Sequence, residues 1–274
     1  MGRDGTGTRI TALTMIMERA VHIGTSGWHY RHWIGPFYPP GMRSAEFLAY
    51  HARRFSAVEI NGSFYRMPSA KTLAEWRDAV PAGFRFAVKA HRFITHMKKL
   101  ALPITTYAWF FDDIDILAPK LGPILFQLPP TWHLNIGRLE AFLVALPRRY
   151  RYAFEFRNPT WLVPPVLALL RAHGVAFCIY DIDRFQSPIE TTADFTYLRL
   201  HGPGARYQGR YGDAALREWA RRIRGWAEKD QGVWCFFDND RNGHAARDAL
   251  RLKRLVAAAP RQRPTPPRRD LVQA

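Results

Sequence analysis

Charged and amide side chains stand at the ends of short apolar runs throughout this chain, mostly in pairs two residues apart. The pairs are Glu59 with Asn61, Lys89 with His91, Glu155 with Arg157, Asp181 with Asp183, Arg199 with His201, and Asp238 with Asp240, while Gln127 ends a run alone. Residues two apart share one face of an extended strand. Acids and bases gathered on one face are the groups with which enzymes move protons and stabilise charge.

The residue types in these pairs predict proton-transfer chemistry on an anionic substrate. The predicted catalytic residues are Glu155 or Asp238 as general base, His201 or Lys89 as general acid, and Arg199, aided by Arg157, as stabiliser of anionic charge. The expected activity is that of a hydrolase or an isomerase acting on a phosphorylated or polyanionic substrate, such as a phosphoester hydrolase or a sugar-phosphate enzyme. A salt-bridge network with a purely structural role is the competing interpretation of the same charges.

Aromatic and basic residues follow several of the runs and predict a binding surface. The predicted substrate-binding residues are Glu59, Asn61, Trp28, Tyr65, Arg157, Asp181, Arg206, Tyr207, Asn239 and Asp240. Aromatic faces stack on sugars or bases, and arginine holds phosphate. Alternatively, Trp33, Phe37 and Tyr38 form a hydrophobic cap, and the nearby glycines only permit tight turns.

Two kinds of metal site are considered from the same residues. Divalent metal binding is an open alternative, with ligands drawn from His91, His201, Glu155, Asp181 and Asp238, although they form no compact motif. Residues 238–243 also resemble the start of an EF-hand loop. Position twelve of that loop would be Ala249 instead of a bidentate glutamate, and a strand precedes it, so the pattern argues against calcium.

The elements that must position these residues alternate regularly along the chain. Hydrophobic periodicity predicts strands at His22–Gly27, Ala57–Asn61, Phe84–Ala90, Pro123–Leu128, Tyr152–Phe156, Val175–Tyr180, Phe195–Leu200 and Val233–Phe237. It predicts helices at Ser44–Phe55, Ala70–Ala79, Thr105–Leu117, Gly137–Leu146, Pro164–His173, Asp213–Lys229 and Gly243–Val256. The segment 184–194 is too short and polar for a full helix.

Eight apolar strands alternating with helices predict an α/β fold, a single-domain (β/α)8 barrel of the TIM type. An open doubly wound sheet is the alternative, but no G-x-G-x-x-G follows the first strand. In a barrel the polar strand ends would point inward at the carboxyl end, because an outward charge would face apolar helices. The barrel is expected at 21–258, after an extension at 1–20 and before a Pro/Arg-rich tail at 259–274; Met15 or Met17 could be the true start.

Composition limits the remaining possibilities. The 274 residues are 47% hydrophobic, and no apolar run reaches the roughly 18 residues that cross a bilayer, so a cytoplasmic protein without membrane contact is expected. Cys178 and Cys235 are predicted to be buried structural thiols. The net charge of +17 attracts polyanions, and a non-catalytic nucleic-acid-binding protein is the alternative function, although arginines on solvated helix faces account for much of the excess. The oligomeric state stays open.

Seven stretches of the sequence resemble one known family. They are IGTSGWHYRHWIGPFYP, VEINGSFYRMPS, FAVKAHRFITH, GPILFQLPP, FEFRNPTW, YLRLHGP and FFDNDRNGHAARDALRL. These are similar to the domain of unknown function 72 family, the YecE-like proteins, from about His22 to Val256. The resemblance implies a TIM-barrel-like fold and no particular reaction. Asp238 departs from the family pattern, which commonly reads Asn-Asn-Asp at this place.

Overall fold

Eight parallel strands form a nearly closed barrel. The computed structural model describes residues 21–204 and 206–258, so the predicted extension and tail lie outside the described residues. The barrel strands are β1 (Val21–Thr25), β2 (Ala57–Ile60), β3 (Arg85–Lys89), β4 (Leu121–Leu128), β5 (Tyr152–Phe156), β6 (Ala176–Ile182), β8 (Phe195–Leu200) and β9 (Gly232–Phe237). A two-residue strand, β7 (Phe185–Gln186), pairs antiparallel with β6.

The strand order confirms the predicted (β/α)8 architecture. Hydrogen-bonded neighbours run β1-β9-β8-β6-β5-β4-β3-β2. The two ends of this path meet at a bridge between Ser26 and Glu59, where the Gly27 N–H donates to the Glu59 carbonyl at 2.8 Å. Gly24 lies at this seam, and a Cβ there would be 2.0 Å from the Ala57 carbonyl oxygen. The close approach of β1 and β2 therefore requires glycine at position 24.

Within the described residues, seven helices surround the barrel at the predicted places. They are α1 (Phe47–Ala52), α2 (Ala70–Asp78), α3 (Ala108–Asp115), α4 (Ile136–Ala145), α5 (Pro164–Ala172), α6 (Asp213–Ala227) and α7 (His244–Ala257). The helices predicted from Ser44 and Thr105 each begin as a 3₁₀ turn, Ser44–Glu46 and Ile104–Tyr107. None of these described helices is both long and apolar enough to span a membrane.

The barrel interior is filled by side chains of complementary size. β2, β3, β5 and β6 contribute Ala57, Ala87, Ala153 and Ala176, which leave room for Tyr197, Trp234 and Phe236 from β8 and β9. These side chains fill the barrel interior, which is therefore a packed core and not a channel. Polar side chains at the carboxyl end consequently rest on a packed apolar floor.

Candidate functional site

Arg199 is the centre of a buried charged cluster at the carboxyl end of the barrel. Its side chain is 1% exposed and contacts three carboxylates. Nη2 lies 2.8 Å from Glu59 Oε1 and 3.0 Å from Asp238 Oδ2, and Nη1 lies 3.0 Å from Glu155 Oε2. Burial acts to lower the pKa of Arg199, but the three carboxylates outweigh it and raise that pKa. We call Arg199, Glu59, Glu155, Asp238, Arg157 and His201 the Arg199 cluster.

Glu59 is held by neutral donors as well as by Arg199. The Ser26 hydroxyl donates to Oε1 and the Tyr197 hydroxyl to Oε2, both at 2.7 Å. Ser26 follows β1 and lies opposite Glu59 at the seam, whereas Tyr197 lies in β8, so its contact crosses the barrel interior. Neither residue was predicted from the sequence; Tyr197 gave no signal because it lies within an apolar run. Glu59 is completely buried and fixes the orientation of Arg199 instead of contacting substrate.

Glu155 and His201 are also completely buried. Burial raises the pKa of Glu155, but Arg157 and Arg199 outweigh this effect and hold that pKa well below its usual range. The Nε of Arg157 donates to Glu155 Oε1, and its Nη2 lies 2.9 Å from His201 Nε2. Because that guanidinium donates, Nε2 is the acceptor and the ring proton is on Nδ1. Nδ1 lies 3.0 Å from Asp238 Oδ2, although the N–H is poorly aligned with this oxygen.

A cavity of about 460 Å³ opens above the cluster, and we call it the first lobe. Lys89, Asp238 and Asn61 provide its main polar groups, and its aromatic lining is Trp28, Tyr30, Tyr65, Trp76 and Tyr207. Burial, followed by the charge of Arg199, lowers the pKa of Lys89 to about 8. The Lys89 ammonium lies 4.2 Å from the Phe64 ring centroid, and among the described residues no carboxylate forms a salt bridge with it.

Asp238 presents one free oxygen to the first lobe. Burial raises the pKa of Asp238, but Arg199 in particular outweighs burial and lowers it, so the group is ionised at neutral pH. Oδ2 contacts Arg199 and His201, whereas Oδ1 accepts no hydrogen bond from the described part of the chain. A substrate hydroxyl could therefore donate to Oδ1.

A second lobe of about 310 Å³ lies on the other side of Tyr207, whose ring borders both cavities. Gln127, Arg157, Tyr180 and Arg206 are among its lining residues. The Arg206 side chain is 70% exposed, and its Nε is 3.7 Å from Asp183 Oδ2. The lining thus holds two arginines and one carboxylate, Asp183, while Arg157 is also paired with Glu155 below the lobe.

Two predicted site residues, Asp181 and Asn239, belong neither to the Arg199 cluster nor to the lining of either lobe. Asp181 was expected to point inward, but Cys178 and Tyr180 occupy the inner face of β6; the Cys178 thiol approaches Glu155 Oε2 at 3.7 Å. Burial raises the pKa of Asp181, and the neighbouring Tyr211 offsets part of this effect. The error arose because polarity, not strand alternation, assigned the inner face of β6.

Asn239 is the other misplaced residue, since alternation turns it away from Asp238. Its Nδ2 donates to the Gly209 carbonyl at 2.8 Å and to Asp248 Oδ2 at 3.0 Å. These bonds hold the loop after β8 against α7. Asp240 lies at the rim, where its carbonyl accepts the Trp33 indole N–H at 2.8 Å.

The predicted metal ligands do not assemble. Within residues 21–204 and 206–258, no group of three or more His, Cys, Asp and Glu side chains is placed to hold an ion. Glu155 and Asp238 face guanidinium groups, Asp181 lies outside the barrel, and His91 Nδ1 accepts the Phe93 N–H at 3.1 Å. The described residues do not fit a metal at this mouth.

A parallel eight-stranded barrel with a polar mouth at its carboxyl end defines a TIM-barrel protein. The chain belongs to the family described as "Protein of unknown function DUF72", whose model matches residues 22–271. It is 27% identical over 281 residues to UPF0759 protein YunF of Bacillus subtilis (strain 168), covering 88% of this chain and 98% of that protein. UPF0759 protein YecE of Escherichia coli (strain K12) is 30% identical over 140 residues, 51% of this chain and 49% of YecE.

Solved structures of the family share the fold. A DUF72 family protein from Thermotoga maritima MSB8 superposes with a TM-score of 0.80 at 27% identity, covering 87% of this chain and 100% of that one. A DUF72 family protein from Enterococcus faecalis V583 gives a TM-score of 0.68 at 19% identity over 88% of this chain and 96% of that one, which shows likeness of fold.

Proposed function

We propose that this protein is an enzyme that binds a small phosphorylated or otherwise anionic substrate and transfers a proton by means of Lys89. The proposal rests on the position of the Lys89 amine, which lines a cavity beside the free oxygen of Asp238. Burial lowers the pKa of this amine to about 8. A proton-transfer group is most effective when its pKa lies near the working pH. Lys89 therefore serves as the general acid or base, and Asp238 orients the substrate.

The remaining charged residues act through these two. Arg199 has its donors directed at Glu59, Glu155 and Asp238, so it is a positioning residue and not the free cation expected from the sequence. Glu155 and His201 are covered and support Asp238 and Arg157 from below. Among the alternatives expected from the sequence, Lys89 instead of His201 transfers the proton, and Asp238 instead of Glu155 contacts the substrate.

The shape of the mouth favours a sugar phosphate among anionic substrates. The aromatic walls of the first lobe, among them Trp28 and Trp76, suit the apolar face of a sugar ring. Arg157 and Arg206 in the second lobe suit the phosphate. Phosphoester hydrolysis would need cations at the phosphate where the proton is transferred, whereas Arg157 and Arg206 lie in the second lobe, apart from the Lys89 amine. Isomerisation by proton transfer therefore fits the site better.

The test is solvent exchange. A panel of sugar phosphates is incubated with the protein in D₂O, and deuterium incorporation at carbon is followed by NMR. We expect incorporation to fall at least about a hundredfold in Lys89→Met, the usual size of a general acid–base contribution. Lys71→Met, which removes an exposed lysine of α2, should leave it unchanged. Exchange that persists in Lys89→Met, or no exchange with any compound, contradicts the proposal.

A substrate-independent measurement examines Lys89 itself. Only a neutral amine reacts with acetic anhydride, so the labelling rate of each of the seven lysines reports its pKa by mass spectrometry. Lys89 should reach half of its maximal rate near pH 8. A midpoint equal to that of exposed Lys71 would remove the basis of the proposal.

A non-catalytic nucleic-acid-binding protein is the second candidate, supported by exposed aromatics at the mouth. Tyr65 is 68% and Trp109 is 37% exposed, and the Arg92 guanidinium lies 5.9 Å from the Tyr65 ring centroid. Together with the net charge of +17, this surface suits stacked bases and phosphates. Oligonucleotide binding that weakens steeply with salt and in Tyr65→Ala, but not in Lys89→Met, would favour this function.

A further inference from the structure

A second cavity, of about 860 Å³, lies at the opposite end of the barrel, and we call it the amino-end cavity. It is lined by residues at the amino ends of the strands and by the loops that lead into them, including His22, Arg85, Asp115, Arg149, Arg151 and Trp234. TIM barrels place their reactions at the carboxyl end. A ligand in this cavity would therefore be separate from the substrate of the proposed reaction.

The lining of the amino-end cavity carries unbalanced positive charge. Three guanidinium groups face one lining carboxylate, Asp115, which lies 2.8 Å from Arg149 Nη2. Arg151 is paired with Asp194, outside the lining, at 3.1 Å. Arg85 donates only to the carbonyls of Ala82 and Phe84, at 2.8 and 2.9 Å, and no described carboxylate pairs with it. An anion would be attracted to this set of arginines.

His22 supplies an unused polar atom beside these arginines. Its ring stacks on Trp234 with centroids 4.0 Å apart. Burial, and then the charges of Arg85 and Arg151, lower the pKa of His22 to about 4, so the imidazole is neutral at pH 7. Its Nδ1 is buried and has no hydrogen-bond partner among the described residues. Buried polar atoms are nearly always satisfied, so Nδ1 is an exception in the described part of the chain.

We propose that the amino-end cavity binds a small polyphosphate anion of the nucleoside di- or triphosphate kind. Arg85, Arg149 and Arg151 contact the phosphates, and the His22 ring, stacked on Trp234, lines the cavity beside them. The volume lies within the range of small-molecule sites. The rings of Trp234 and Tyr150 provide an apolar lining for a base or sugar. A cavity of this size favours a free nucleotide over a strand of nucleic acid, which needs an extended track.

The test is calorimetric titration of the full chain with ATP, inorganic pyrophosphate and a single-stranded oligonucleotide. We expect ATP and pyrophosphate to bind, and we expect Arg85→Gln and Arg151→Gln each to weaken binding about tenfold, as loss of one charge-assisted hydrogen bond implies. Arg217→Gln removes an exposed arginine of α6 and makes the same change in net charge, so it should bind as the unmodified protein does. Thermal unfolding of each variant checks that the fold is kept.

The outcomes separate the two ends of the barrel. Lys89→Met should leave ATP binding unchanged, so failure of the proposed reaction does not bear on this site. Absence of ATP and pyrophosphate binding, equal affinity in Arg85→Gln and Arg217→Gln, or binding of the oligonucleotide alone would each overturn the inference. Loss of ATP binding in Lys89→Met would place the ligand at the carboxyl end and overturn it as well.

Discussion

Arg199 determines whether three acidic residues can share one barrel mouth. Glu59, Glu155 and Asp238 all lie within 3.0 Å of its guanidinium nitrogens, and each carboxylate is almost fully shielded from water. Buried ion pairs add little net stability, because desolvation offsets their attraction, but breaking one leaves an uncompensated charge. Removing any one charged member of the Arg199 cluster should therefore destabilise the folded state, although the intact cluster adds little net stability.

Replacing Arg199 by methionine tests whether the Arg199 cluster depends on its central cation. The change leaves three carboxylates without their shared cation, and we expect a loss of about 3–5 kcal/mol in the free energy of unfolding. Urea denaturation followed by tryptophan fluorescence measures the loss. Arg217→Met, at an exposed position of α6, is the matched control and should change stability by less than about 0.5 kcal/mol. A similar small change in Arg199→Met would show that the cluster contributes no such constraint.

Strand alternation allowed much of the cluster to be predicted from sequence. Glu59, Lys89, Glu155, Arg199 and Asp238 end different strands, and the structure brings them to one mouth. Alternation cannot say which members are covered, since exposure depends on loops such as the one carrying Tyr207. For that reason the sequence did not separate Lys89 and Asp238, which line the first lobe, from Glu59, Glu155 and Arg199 beneath them, which do not.

The seam between β1 and β2 completes the barrel. The other neighbouring strands pair over two or more residues, whereas this contact depends on the Ser26–Glu59 bridge and the adjacent Gly27 hydrogen bond. The sequence predicted all eight strands, but not how completely they close, because closure depends on strand tilt and stagger. The seam also orients Glu59, so its geometry influences the cluster directly.

Gly24→Ala is expected to disturb this seam. The new Cβ would meet the Ala57 carbonyl oxygen at 2.0 Å, and neither backbone can move without displacing a strand. We expect a destabilisation of about 1–3 kcal/mol, the usual result of overpacking. The matched control is Gly137→Ala in α4, where no atom lies within 4 Å of the added Cβ. Equal urea midpoints for the two variants would contradict a tight seam.

For the whole molecule, buried histidines make stability depend on acid. Burial lowers the pKa of His51 from 6.5 to about 3, and that of His22 from 6.5 to about 4. The Thr25 hydroxyl donates to the Gly27 carbonyl, so His51 Nε2 donates to Thr25 Oγ1 at 2.9 Å, and Nδ1 has no partner among the described residues. The folded chain keeps these rings neutral, whereas the unfolded chain protonates them below the ordinary histidine pKa.

Unfolding therefore takes up protons as the pH falls below 6.5, and the folded state loses stability in that direction. Each histidine contributes a slope of up to about 1.4 kcal/mol per pH unit. Above about pH 5 Glu155 and Asp238 stay ionised, since their pKa values are lowered, so these two carboxylates add little to the slope in this window. Urea denaturation between about pH 7 and pH 5 should show a smaller slope in His51→Gln than in the unmodified protein.

His173→Gln, at an exposed position, should keep the full slope, and growing positive charge affects all three proteins alike. Identical slopes for His51→Gln and His173→Gln would mean that His51 is protonated in the folded state.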